Sequence, residues 1–177
     1  MKTISKTITT LLFVFLSVSL TSASRDEKLK ETSAYAIELL KDTDSKLKDW
    51  FKNPYGYVIF PNVGKGGFGI GGAFGKGEVY QNGKFLGEAR LTQGTIGLQM
   101  GGQLYTEVIF FNKKENLSNF KESRYAFSAQ VSAVAAAEGA AANAKYEHGV
   151  AVFTLAKGGL IYEASVGGQK FKFIPKD

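Results

Sequence analysis

The 177-residue sequence has no cysteine and a single histidine, His148. Without cysteine there is no disulfide, no thiolate metal ligand and no thiol nucleophile. One imidazole excludes any mechanism that needs two. Proline is scarce, at 3 residues, and the 21 glycines follow no Gly-X-Y period, which excludes a collagen-like chain. Charged residues are 21% against 44% hydrophobic, an ordinary globular balance and not that of a disordered chain. Carboxylates are dispersed and often lie near lysines, so no metal site is expected. His148, between Glu147 and Gly149, has no G-x-S-x-G elbow to supply a serine nucleophile, and no catalytic residue is expected.

Glycine and aromatics are abundant instead: aromatics reach 13%, and all glycines lie at or after Gly56. The run from Asn62 to Tyr80 contains G-x-G-x-x-G twice, at Gly64-Gly66-Gly69 and Gly67-Gly69-Gly72. A dinucleotide site needs a helix directly after such a run, but Phe68, Ile70 and Phe74 continue an extended pattern. The phosphate-loop form fails because Gly75-Lys76 is followed by Gly77. No cofactor is expected. Glycines in strands mark bends, bulges or close backbone approach.

At the N-terminus, Lys2 and Lys6 precede the apolar run Leu11 to Leu20, and Thr21 and Ala23 supply small residues for cleavage. This pattern predicts a secretory signal peptide over residues 1–23. The run is shorter than the roughly 20 residues a membrane-spanning helix requires. The expectation is an exported protein, periplasmic or secreted and peripheral to a membrane, with residues 24–177 forming a single domain. Without Lys2 and Lys6 the formal net charge falls from +6 to +4, which suits loose contact with an anionic surface, and nucleic acid is not an expected partner.

Residues 25–53 lack glycine and read as helix. Leu29, Ser33, Ala36, Ile37 and Leu40 form one stripe, and Leu47, Trp50 and Phe51 a second. Asp42 to Ser45 offers capping side chains between them, and Asn53-Pro54 ends the region. From Gly56 the period becomes two. Tyr57 to Phe60 predicts a buried strand ending at Pro61, and Asn82-Gly83 a tight hairpin. Thr106 to Phe111 predicts another strand, and Lys113 to Ser123 a short helix with Leu117 and Phe120 on one side. The alanine-rich segment alternates, predicting a strand from about Tyr125 to Ala135. Val150 to Leu155 and Leu160 to Val166 predict a hairpin across Ala156–Gly159, and Gln169 to Ile174 a final strand. The helical first part and the charged Pro175-Lys176-Asp177 end speak against a transmembrane barrel.

Four ordered stretches resemble the SYLF domain family. Tyr55 to Tyr80, with its strand, Phe-Pro, Lys-Gly-Gly-Phe and glycine run, is similar to the family signature. Gly94 to Gln103, Thr106 to Phe120 and Lys157 to Gly168 are similar to later blocks, so the resemblance runs from about Leu29 to Phe173. It implies an α+β fold: an antiparallel, barrel-like β-structure packed by an N-terminal helical segment and a short internal helix. It also implies a phospholipid-binding domain without catalytic activity, whose eukaryotic members bind phosphoinositides and, in some cases, actin filaments. The candidate lipid-binding residues are Lys46, Lys48, Trp50, Phe51 and Lys52: the aromatics would enter the headgroup layer and the lysines meet phosphates. Packing of Trp50 and Phe51 onto the sheet is the competing reading. The alternative function is a structural or protein-interaction module docking an envelope protein through the glycine-rich sheet.

Overall fold

The computed structural model describes residues 26–68, 70–96, 101–122, 133–157 and 168–176. The predicted leader, most of the predicted strand from Tyr125, and the predicted strand from Leu160 to Val166 lie outside the described residues.

Helix α1 occupies residues 26–43, and its stripe is buried at Ser33, Ala36 and Leu40. Helix α2, Leu47–Lys52, follows after one turn. Asp44 organises that turn: its Oδ1 accepts from the Lys46 N–H at 3.0 Å, and its Oδ2 accepts from the Ala141 N–H at 2.7 Å. The second bond ties the helical region to a one-turn 3-10 helix, Ala140–Ala142. Burial alone would raise the Asp44 carboxyl, but N–H donors from Ala141, Lys46, Gly139 and Ala140 outweigh it and hold the pKa below the usual value. Asp44→Asn loses the ionised acceptor and is expected to cost about 2 kcal/mol at neutral pH. The loss should shrink as the pH falls through the depressed Asp44 pKa, where the wild-type carboxylate is protonated too. Urea unfolding at pH 7 and below pH 3 checks both statements.

The strands are β1 (Gly56–Phe68), β2 (Ile70–Gln81), β3 (Lys84–Ile96), β4 (Gly101–Phe111), β5 (Ala133–Ala135), β6 (Val150–Lys157) and β7 (Gln169–Pro175). They form one seven-stranded sheet in the order β5-β6-β4-β1-β2-β3-β7. Every pairing is antiparallel except the short β5–β6 pair. Between β2 and β3, Asn82 at φ 48° and Gly83 at φ 76° are both left-handed, as the predicted type I′ hairpin requires. Helix α3, Lys114–Lys121, buries Leu117 and Phe120 as their spacing predicts.

One boundary differs from the expectation. β1 does not end at Pro61 but continues to Phe68, making the glycine run two long paired strands. The register shifts around Pro61 and Asn62 against both neighbours, which is a β-bulge. Proline has no N–H to give a ladder, and a bulge is where a strand interior tolerates it. The Pro61 carbonyl accepts from Thr106 Oγ1 at 3.0 Å.

The sheet curls without closing among the described residues, so the barrel-like expectation holds only loosely. Gln169 on β7 donates to Glu107 on β4 at 2.9 Å, although β1, β2 and β3 lie between them in the sheet. Phe60 and Phe171 meet across the same interior at 5.9 Å between ring centroids. This concave face holds one core, including Val58, Phe60, Val63, Leu91, Ile109, Phe111, Val152 and Phe171, sealed at one end by Phe120 of α3. The convex face holds the second core: Ile59, Val108, Phe110, Ala151 and Phe153 under Ala36, Leu40 and Leu47 of the two helices. Among the described residues no helix is long and apolar enough to cross a membrane, which says nothing of strands.

Candidate functional site

The predicted lipid-contact residues separate by side chain. Lys46, Lys48 and Lys52 are exposed, whereas Trp50 and Phe51 are half-buried. The Trp50 ring lies 5.6 Å from Phe110, 4.9 Å from Tyr146 and 5.0 Å from Phe153, and its indole N–H donates to the Ala141 carbonyl at 3.3 Å. Phe51 meets Phe110 at 4.9 Å and Tyr57 at 5.4 Å. Both aromatics thus fix α2 to the convex face of the sheet.

The helices cover only one end of that face. The strand register places successive rows of side chains beyond them. In the first row, Asn62 of β1 pairs with Lys76, Lys76 with Arg90, and Arg90 with Lys172. The next row runs Lys157–Leu104–Gly64–Phe74–Thr92–Lys170 across six strands. Lys76, Arg90, Lys170 and Lys172 are exposed; Lys157 is half-buried, and its ammonium donates to Asn62 Oδ1 at 2.8 Å. Burial lowers the Lys157 pKa from its ordinary value. Phe74 is 68% exposed and Leu104 44%. Among the described residues, no carboxylate occupies these two rows. The acidic residues of the face lie at the helix-covered end, where Glu78 accepts from the Tyr80 hydroxyl at 2.9 Å and Glu88 pairs with Glu78 across β2 and β3. Charge on the convex face is therefore segregated.

The concave face carries a different polar group. Glu107 is fully buried, and its Oε2 accepts from Gln169. Its Oε1, like Gln169 Oε1, has no hydrogen-bond partner among the described residues. Burial pushes the carboxyl up to about 7, opposed by the Gln169 hydrogen bond. Tyr105 beside it is also raised, by burial first and by Glu107 second. These groups form a sealed layer inside the curl rather than a cleft. Among the described residues, no cluster of three or more metal-binding side chains occurs. His148 stands on an exposed turn at φ 51°, its carbonyl held by the Asn116 side chain at 3.0 Å.

The sequence signals for the outward rows were weak, because lysines and glycines in alternating strands do not announce which face they occupy. The Asn62 to Phe74 stretch was conspicuous for its glycines and its likeness to the SYLF signature, neither of which says which face it presents.

The described residues thus form an open, curled, mostly antiparallel sheet with α1 and α2 on its convex face and α3 against the concave core. Residues 92–173 match the family model Ysc84, described as a Las17-binding protein actin regulator, a likeness in line with the SYLF resemblance read from the sequence. The match takes in the stretches from Gly94 onward; the Tyr55 to Tyr80 stretch lies before it. The chain is also 33% identical over 78 residues to beta cell expansion factor A of Aeromonas veronii, covering 44% of this chain and 30% of that protein. The chain thus spans less than a third of the length of that relative.

Proposed function

We propose that this protein is a non-enzymatic phospholipid-binding protein of the cell envelope that contacts anionic membrane surfaces. The observation that carries this reading is the charge segregation on the convex face: Lys76, Arg90, Lys157, Lys170 and Lys172 point outward with no carboxylate among the described residues of their rows. The exposed Lys46, Lys48 and Lys52, at and within α2, lie on the same side of the sheet but at the helix-covered end, where exposed Asp49 stands among them. Each lysine or arginine near an anionic leaflet contributes on the order of 1 kcal/mol, so several together give reversible peripheral binding. The leader expected over residues 1–23 supports a periplasmic or secreted location, and the match over residues 92–173 is in line with a binding role.

Co-sedimentation with phosphatidylglycerol-rich vesicles is expected at low salt. Binding should fall steeply by about 1 M salt, where the Debye length is about 3 Å. Phosphatidylcholine vesicles should retain little protein. Equal, negligible binding under all conditions defeats the proposal. A second reading has its own support: the matched family's description names a protein ligand, and β7 ends the sheet among the described residues, presenting an edge for a partner strand. A stoichiometric envelope protein captured without lipid dependence favours that reading.

A further inference from the structure

The glycine run remains unexplained by lipid contact through lysines alone. Within a strand, glycine lowers stability relative to alanine, so it persists where the backbone or the space requires it. Some glycines here meet that condition. Gly77 is one: a Cβ there would collide with the Ile59 carbonyl and the Phe60 ring. Gly64 and Gly94 do not. Neither has a positive φ, and a Cβ built on either meets nothing within 4 Å. A Cβ on Gly102 meets only the Lys65 carbonyl, at an ordinary 3.9 Å.

The register aligns these positions. Gly66 pairs with Gly102 on one side and with Gly72 on the other, and Gly72 pairs with Gly94. The convex face thus carries a cross-strand row of glycines immediately beyond the Leu104–Gly64–Phe74 row. Missing side chains leave a shallow trough of roughly 630 Å³, bordered by Phe74, Thr92 and Lys170 and floored by Gly66, Gly72 and Gly94.

We infer that this trough is the phospholipid-docking surface, and that the end of the convex face left uncovered by the helices rests on an anionic bilayer. The inference rests on the lipid-binding reading and names the surface that performs it. Phe74 and Leu104 enter the interfacial layer, where an aromatic ring and an aliphatic chain are favourable. Lys157 pairs with Leu104, and Lys170 lies two strands beyond Phe74, so the apolar pair is flanked by cations at the height of the lipid phosphates. The glycine floor lets a headgroup approach the strand backbone more closely than any side chain would allow. Positive charge without carboxylates matches an anionic leaflet. A partner strand needs a free edge, and the glycine-bearing strands β1, β2, β3 and β4 are each paired on both sides.

The test compares vesicle partitioning of the purified protein on equimolar phosphatidylglycerol–phosphatidylcholine vesicles at low salt. Phe74→Ser/Leu104→Ser and Gly64→Glu/Gly94→Glu alter only exposed or open positions and are each expected to reduce partitioning about tenfold. Lys46→Glu/Lys48→Glu/Lys52→Glu on α2 is expected to reduce it only about two- to threefold. Phe74→Trp provides a readout that survives a poorly folding variant: its emission should shift to the blue with vesicles and be quenched by bromolipid. Wild-type partitioning by both face variants, or a Phe74→Trp signal indifferent to vesicles, overturns the surface while leaving lipid binding intact. A wild-type protein that does not partition overturns both.

Discussion

Glu107→Gln is expected to stabilise the protein by about 3 kcal/mol at pH 8 and to leave it nearly unchanged at pH 4. The wild-type carboxyl is buried, with a pKa raised from 4.5 to about 7. Below pH 4.5 it is protonated in folded and unfolded chains alike, and its titration costs nothing. As the pH rises from about 4.5 to about 7, the unfolded chain releases its proton while the folded one retains it. The folded state then binds more protons, and stability falls with rising pH. Above about pH 7 the loss is complete, and at about 1.4 kcal/mol per unit it amounts to about 3 kcal/mol. Glutamine keeps an oxygen to accept the Gln169 bond but cannot ionise. For a domain of this size the difference is a melting shift of about 6–12 °C at pH 8. Thermal melts of both proteins at pH 4, 6 and 8 check it; curves that remain parallel across the series would show that the Glu107 proton is not linked to folding.

Trp50→Ala is expected to cost about 3 kcal/mol. The indole joins α2 to three rings on the sheet side, Phe110, Tyr146 and Phe153, and its N–H reaches the Ala141 carbonyl. Removing it forfeits apolar burial and ring contacts of about 0.5–1.5 kcal/mol each. It also leaves a hole beneath the turn that Asp44 pins. Trp50→Phe should recover most of the loss, since it refills the space and lacks only the hydrogen bond. Urea unfolding followed by circular dichroism compares the three proteins. If Trp50→Ala unfolds like the wild type but loses vesicle binding, the indole serves lipid and not packing.

The sequence made legible those elements whose cause is local. Asn82-Gly83 prescribes its hairpin because both residues accept left-handed φ at small cost. Leu117 and Phe120 declare α3 by their spacing, and the Leu29 to Leu40 stripe declares α1. Alternation favoured strand over helix in the alanine-rich segment, and Ala133–Ala135 is indeed a strand. The orientation of the lysine- and glycine-bearing rows was not legible, and the bulge at Pro61 and Asn62 is the reason. Simple alternation from Tyr57 and Ile59 would turn Asn62, Gly64 and Gly66 to the opposite face. The extra residue of the bulge reverses the parity and sends them outward with the helices' side of the sheet. Nor could sequence show that Glu107 would meet Gln169, 62 positions away, because only the curl of the sheet brings β4 and β7 together. Trp50 and Phe51 were ambiguous because an amphipathic stripe reads alike whether a sheet or a bilayer covers it.

The position of β7 in the sheet sets the timing of assembly. Residues 169–175 complete the edge beside β3, place Phe171 against Phe60, and supply the amide that meets Glu107. A nascent chain emerging from the ribosome holds every earlier strand before it holds this one. Its interior stays wet and unsealed until that segment is translated, so native docking of the earlier strands waits for β7. Such a polypeptide remains threadable until its seventh strand has emerged.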